Sequence, residues 1–117
     1  MHKLAKDPND LEKFFVERVN TGDVEGLVSL YESNATLATG DGEAAYGLEE
    51  IRNFFINYLA GSPQLGPSDQ APALCSGDLA LTSSLLGNGD ITAEIARRQI
   101  GGNWLWSVDQ FSLRKGA

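Results

Sequence analysis

Hydrophobic spacing changes part-way along this chain, and the change limits the folds open to it. In the first half, apolar side chains recur every three or four residues. From Asp10, "DLEKFFVERVNTGD" places Leu11, Phe14, Phe15 and Val19 on one helical face, with Asn20 to Gly22 as the stop. Val24, Leu27, Val28 and Tyr31 repeat the spacing over a short second helix, with Asp23 and Glu25 in its first turn, where they complement the helix dipole. Gly47 opens "LEEIRNFFINYLAG", in which Leu48, Ile51, Phe54, Phe55, Tyr58 and Leu59 share a face and Gly61 ends the run. Between the second and third helices, "ATLAT" and "EAAY" flank "GDG", the pattern of a small β-hairpin.

After the third helix the pattern is different. Residues 61–73, "GSPQLGPSDQAPA", hold three of the four prolines and read as an irregular connection or weak edge strand, a candidate lid over a cavity. Beyond it, "LCSGDLALTSSLLG", "DITAEIARRQI" and "NWLWSVDQFSLRK" are strand-length runs separated by "GNGD" and "GG" turns. Three helices followed by a meander predict one α+β domain over residues 1–117, with the helices against one face of a curved antiparallel sheet and residues 1–9 as a flexible arm.

Composition excludes several function classes. Nine basic against sixteen acidic residues give a net charge of −7, which repels phosphate backbones and anionic lipid, so neither nucleic acid nor membrane is an expected partner. No apolar run approaches the roughly 20 residues that cross a bilayer. "MHKLAKDPND" lacks the apolar core of a signal peptide, and a cytoplasmic location is expected. The lone Cys75 cannot form an internal disulfide and is expected to be a buried structural thiol. With His2 as the only histidine, no metal set is expected.

Catalytic signatures are sparse. His2 lies in a terminus expected to fray, which argues against a Ser-His-Asp triad. Neither a phosphate-binding loop nor a dinucleotide fingerprint occurs, so no cofactor is expected and the Gly-Asp stretches are hairpin turns. Asp41, Glu94 and Asp109 lie on or beside the predicted sheet, where a half-buried acid can act as a general base. For each the structural role is the stronger expectation, Asp41 in particular bonding its own turn.

Aromatic residues are better placed. Phe15, Tyr31, Phe54, Phe55, Tyr58, Trp104 and Trp106 come from the three helices and the last strand. Most are core by spacing, yet an apolar cavity with a few polar tips is also what a small-molecule pocket is made of. Strict alternation in the last strand puts Trp104, Trp106, Val108, Gln110 and Ser112 on one face and Leu105, Ser107, Asp109, Phe111 and Leu113 on the other. Apolar bulk on both faces predicts that the outer one, through Leu105, Phe111 and Leu113, meets a second copy of the chain in a homodimer.

The phrases "FFVERVNTGDVEGLVSLYESNATL", "YGLEEIRNFFINYL", "SGDLAL" and "GGNWLWSVDQFSL", from about Leu11 to Leu113, resemble the nuclear transport factor 2-like superfamily, and within it the SnoaL-like and ketosteroid isomerase-like proteins. The resemblance implies a cone-shaped, cystatin-like fold: three helices packed in a strongly curved, mainly antiparallel sheet, a deep pocket at the open end, and dimerisation through the outer face. At the isomerase catalytic positions, which need an oxyanion donor and a proton carrier, this chain has Phe15, Thr39 (with Asp41 close by) and Ala96, so steroid isomerisation is not expected. Tyr31 matches a pocket tyrosine, and Gln110 stands where many SnoaL-like sequences have histidine. The expectation is a dimer holding a small apolar or partly polar organic ligand among Phe15, Tyr31, Thr39, Phe55 and Trp106, with Arg98 and Gln110 as polar contacts. The alternatives are an isomerase- or cyclase-type enzyme that uses a displaced acid such as Asp41, and an assembly module.

Overall fold

The computed structural model describes residues 2–115. Helix α1 (Asp10–Asn20) carries Asp10 and Glu12 in its first turn and Arg18 in its last, matching the helix dipole. It ends where Gly22 takes φ 68°, a left-handed conformation that glycine adopts without steric cost. Helix α2 (Val24–Val28) is N-capped by Asp23, whose carboxylate accepts from the Gly26 N–H at 2.9 Å.

Tyr31 does not close α2, as its spacing suggested; it opens strand β1 (Tyr31–Ala38). The Trp106 N–H donates to the Leu30 carbonyl at 2.8 Å, which pulls the chain out of helix and into parallel pairing with the last strand. The expected hairpin forms between β1 and β2 (Ala44–Tyr46), and α3 (Gly47–Leu59) follows.

After α3 a mostly extended strap, residues 60–73, contains the short β3 (Asp69–Gln70). The run "LCSGDLALTSSLLG" is not one strand but three: β4 (Leu74–Ser76), β5 (Leu79–Thr82) and β6 (Ser84–Leu85). Gly77, at φ 60°, turns the chain between the first two. The two long strands β7 (Ile91–Arg98) and β8 (Trp104–Arg114) complete a curved, open sheet with the order β2-β1-β8-β7-β5-β4, while β6 pairs with β7 and β3 with β6. All pairings are antiparallel except β1 with β8. This is the α+β, cystatin-like arrangement expected from the sequence.

One irregularity in β8 decides which residues face inward. Ala96 pairs with Trp106, but Ile95 pairs with Val108, so β8 holds one extra residue at Ser107. Such a β-bulge reverses the alternation beyond it. Trp104 and Trp106 point inward as strict alternation predicts, but then Asp109 takes the inner face and Val108 the outer. The assignment of Phe111 to a subunit interface is therefore corrected, because it packs against the core instead.

The core lies between the helices and the inner sheet face. Leu11, Val19, Leu27, Leu37, Ile51, Phe55 and Trp106 are its largest fully buried side chains. Each such burial contributes roughly 1.5–3 kcal/mol. The arm expected to be loose is tied down: Arg18 donates to the carbonyls of Lys3 and Gly26 at 2.8 Å, the Trp104 N–H donates to Ala5, and His2 meets Asp23 at 2.8 Å. Met1 lies outside the described residues. Cys75, expected to be buried, is exposed because β4 forms the edge of the sheet. Among the described residues, no helix is long and apolar enough to cross a membrane.

Candidate functional site

A cavity of about 320 Å³ opens between α1, α3, the strap and the inner faces of β7 and β8. Its walls are aromatic. Phe15 projects from α1, Phe54, Phe55 and Tyr58 from α3, and Trp106 and Phe111 from β8. Phe15 meets the Trp106 ring edge-on at 5.8 Å and that of Phe55 at 6.1 Å, while Phe54 and Tyr58 stack at 5.8 Å. Edge-on and offset pairs of this kind hold rings in fixed orientations.

Three carboxyl groups share the same wall: Glu12 of α1, Glu94 of β7 and Asp109 of β8. Register explains two of them. Thr82, Glu94 and Asp109 pair directly across β5, β7 and β8, forming one inward-facing cross-strand row. The Thr82 hydroxyl donates to Glu94 Oε1 at 2.7 Å, and the Tyr31 hydroxyl donates to Asp109 Oδ2 at 2.5 Å. Glu12 reaches the cavity because it shares a helical face with Phe15, Val16 and Val19, and Ser68 of the strap donates to its Oε2 at 3.3 Å.

Among the described residues, no lysine, arginine or histidine lines the cavity. Burial and their mutual repulsion favour the protonated form of these acids, opposed by hydroxyl hydrogen bonds. Burial, then the charge of Glu94, lifts Glu12 from 4.5 to about 7, with the Ser68 hydrogen bond pulling the other way. Asp109 is raised well above its ordinary value by burial and then by Glu94, against the opposing bond from Tyr31. Burial also raises Glu94, opposed by the hydroxyls of Thr92 and Thr82. Tyr31 is held protonated by burial and by Asp109 beside it.

Burial thus biases Asp109 toward its neutral form, and Glu12 at neutral pH lies near the midpoint of its titration. That is the condition in which a carboxyl both gives and takes a proton at little cost. Two buried polar atoms have no partner among the described residues, Ser84 Oγ and the indole N–H of Trp106, itself a wall residue. No group of three His, Cys, Asp or Glu among the described residues is arranged to hold a metal ion.

The residues singled out from sequence separate into two groups. Phe15, Phe55 and Trp106 line the cavity, and Tyr31 stands behind Asp109. The other four lie elsewhere. Thr39 and Asp41 bond to each other at 2.6 Å in the exposed β1–β2 turn. That bond, with the Glu43 N–H, lowers the Asp41 carboxyl below its usual value. An exposed, readily ionised turn aspartate outside the cavity is not a displaced catalytic acid. Arg98 is exposed at the end of β7, paired with Asp78 at 2.6 Å. Gln110 is turned away by the bulge and borders a shallow depression with Gly40, Tyr46 and Ser112.

Glu12 was missed altogether. Its signal was present: a glutamate three, four and seven residues before Phe15, Val16 and Val19, on the face that a surface acid avoids.

No protein-family model and no curated protein matches the sequence. Solved structures do match the fold. A protein of unknown function with a cystatin-like fold from Nostoc punctiforme aligns over 94% of this chain and 92% of its own, with TM-score 0.71 and 22% identity. A ketosteroid isomerase-like protein from Erwinia carotovora aligns over 86% and 88%, with TM-score 0.67 and 14% identity. A nuclear transport factor 2-like protein of unknown function from Pseudomonas putida aligns over 89% and 82%, with TM-score 0.66 and 19% identity. At these identities the likeness establishes the fold, and the cone-shaped architecture is the one these proteins share.

Proposed function

We propose that the cavity binds a small, mostly apolar, uncharged organic molecule bearing a carbonyl or similar oxygen, and that its buried carboxyls move a proton on that molecule. The observation that carries this reading is Glu12, a wall residue whose carboxyl titrates at about 7 inside an aromatic cavity. The reaction class is proton transfer beside a carbonyl, as in isomerases, dehydratases and cyclases. Ionised Glu12 takes a proton from carbon. Asp109 keeps its own proton, and because Oδ2 accepts from Tyr31, that proton belongs on Oδ1, where it can be offered to the developing negative charge on the ligand oxygen. An anionic ligand fits poorly, since three acids and, among the described residues, no base line the wall.

Solvent deuterium incorporation tests this. Cyclic and aryl-alkyl ketones that raise the unfolding temperature are incubated in D2O, and exchange at the carbon beside the carbonyl is followed by NMR. Exchange is expected with the unaltered protein and a loss of about 10²-fold or more with Glu12→Gln. Exchange that survives Glu12→Gln removes Glu12 from its role.

A second reading, binding without turnover, is favoured by Asp109 already being satisfied by Tyr31, as a structural buried acid would be. Ligands that bind without any exchange support it. We further propose a homodimer through the outer sheet face. Leu74, Leu81, Ile95 and Val108 pair in register across β4, β5, β7 and β8 and are 39–70% exposed, forming an apolar row of the kind a subunit covers.

A further inference from the structure

Trp106 carries a hydrogen-bond donor that the fold leaves unpaired. Its side chain is buried and forms part of the cavity wall, and its indole N–H has no partner among the described residues. The packing around the ring accounts for this. Phe15 meets it edge-on at 5.8 Å, Tyr31 lies tilted against it at 5.4 Å, and its cross-strand partner Ala96 offers only a methyl group. The hydroxyl that Tyr31 brings is engaged with Asp109. Burying an N–H in such surroundings forfeits the bond it made to water in the unfolded chain, and native proteins leave few donors in that condition. Other donors on the wall are accounted for. Gln64 donates to the carbonyls of Asn20 and Pro63, Ser68 to Glu12 and Thr92 to Glu94, while Tyr58 is half-buried and Asn88 exposed, where water can serve them.

We propose that Trp106 is a specificity-determining residue whose indole N–H donates to the oxygen of the bound ligand, so that the cavity selects a molecule bearing an acceptor over a hydrocarbon of the same shape. Register supports the placement. Because of the bulge at Ser107, Trp106 and Asp109 are successive inward residues of β8, opposite Ala96 and Glu94 of β7, one two-residue step of about 7 Å along the strand. An indole N–H only donates, so its partner has to be an acceptor. A carbonyl oxygen has two lone pairs and accepts from Trp106 while leaving a place for the Asp109 proton. The inference rests on the reading of the cavity as a site for a carbonyl-bearing ligand, and it names the residue that recognises the carbonyl. It holds whether or not a proton is moved.

The test compares indanone, an aryl ketone, with indane, the hydrocarbon that lacks its oxygen. Proton–nitrogen NMR of the unaltered protein follows the two indoles, and Trp104, which is not part of the wall, serves as the control. Saturation with indanone should move the Trp106 Nε1 proton to lower field than saturation with indane does, since the aromatic ring common to both probes cancels in the comparison. Calorimetry supplies a second readout. In Trp106→Phe the ratio of indanone to indane affinity should fall about three- to tenfold, as expected for one neutral hydrogen bond, whereas a ring that only packs would weaken both probes alike. If that variant does not fold, the NMR comparison decides. Equal displacement of the Trp106 proton by the two probes, or an unchanged affinity ratio in folded Trp106→Phe, overturns the inference and leaves the cavity a ligand site. A cavity that takes up neither probe overturns this inference together with the carbonyl-ligand reading beneath it.

Discussion

Replacing Glu12 by glutamine should stabilise this protein, and only at high pH. The folded protein holds the Glu12 carboxyl at about 7 against an ordinary 4.5, because burial and the neighbouring Glu94 penalise the charge. A carboxyl raised on folding contributes stability that is fully present below its unfolded value and is lost as pH rises through its folded value. The window for loss therefore runs from about pH 4.5 to just above pH 7. Roughly 2.5 pH units separate the two values, and at about 1.4 kcal/mol per unit the ionised side chain costs about 3 kcal/mol at pH 8.5. Glutamine keeps the shape and an acceptor for Ser68 but cannot ionise.

Urea denaturation at pH 5, 6, 7 and 8.5 is the assay. Glu12→Gln should exceed the unaltered protein by no more than about 1 kcal/mol at pH 5 and by about 3 kcal/mol at pH 8.5, with the m-value unchanged. In thermal scans the gain is roughly 10 °C at the higher pH. A difference that does not change with pH would refute the argument, since it would mean that Glu12 titrates alike in the folded and unfolded chains. A gain here together with a loss of proton transfer is the usual signature of a site that gives up stability for function.

Other expectations follow from the same geometry. Tyr31→Phe removes the donor to Asp109 and should cost about 1–3 kcal/mol in urea denaturation at pH 6, while moving the Asp109 midpoint, followed by carboxyl NMR, further upward. Phe55→Ala empties the centre of the aromatic wall and should cost about 3–5 kcal/mol, measured the same way. On the outer face, sedimentation should show a dimer at micromolar concentration, and Ile95→Asp, a change on an exposed row, should give a folded monomer. A monomer in the unaltered protein removes the interface.

Much of the fold could be anticipated from sequence because the helices announce themselves locally. The faces carrying Phe15 and Phe55 follow from a period that no distant contact alters, so the aromatic half of the cavity was foreseeable. The polar half depends on register. Nothing in "WLWSVDQFSL" marks the extra residue at Ser107, where no glycine signals a bulge, yet it turns Asp109 and Phe111 inward and Gln110 outward. Tyr31 was misplaced for a related reason: its spacing from Leu27 and Val28 is helical, but pairing with β8 overrides local preference. Glu94 and Asp109 could be placed beside the sheet, but their burial side by side is a product of strand pairing. Arg98 and Thr39 lie at the ends of their strands, where exposed turns offered them Asp78 and Asp41 as partners.

The central claim is that burial in this cavity pushes its acids toward the protonated form, with Glu12 balanced near neutral pH. Carbon-13 NMR of the side-chain carboxyls, titrated in the ligand-free protein from pH 3 to 10, measures this for each acid. The account predicts a Glu12 midpoint near 7 and an Asp109 midpoint well above the ordinary aspartate value. Both groups fully ionised by pH 6 would contradict it.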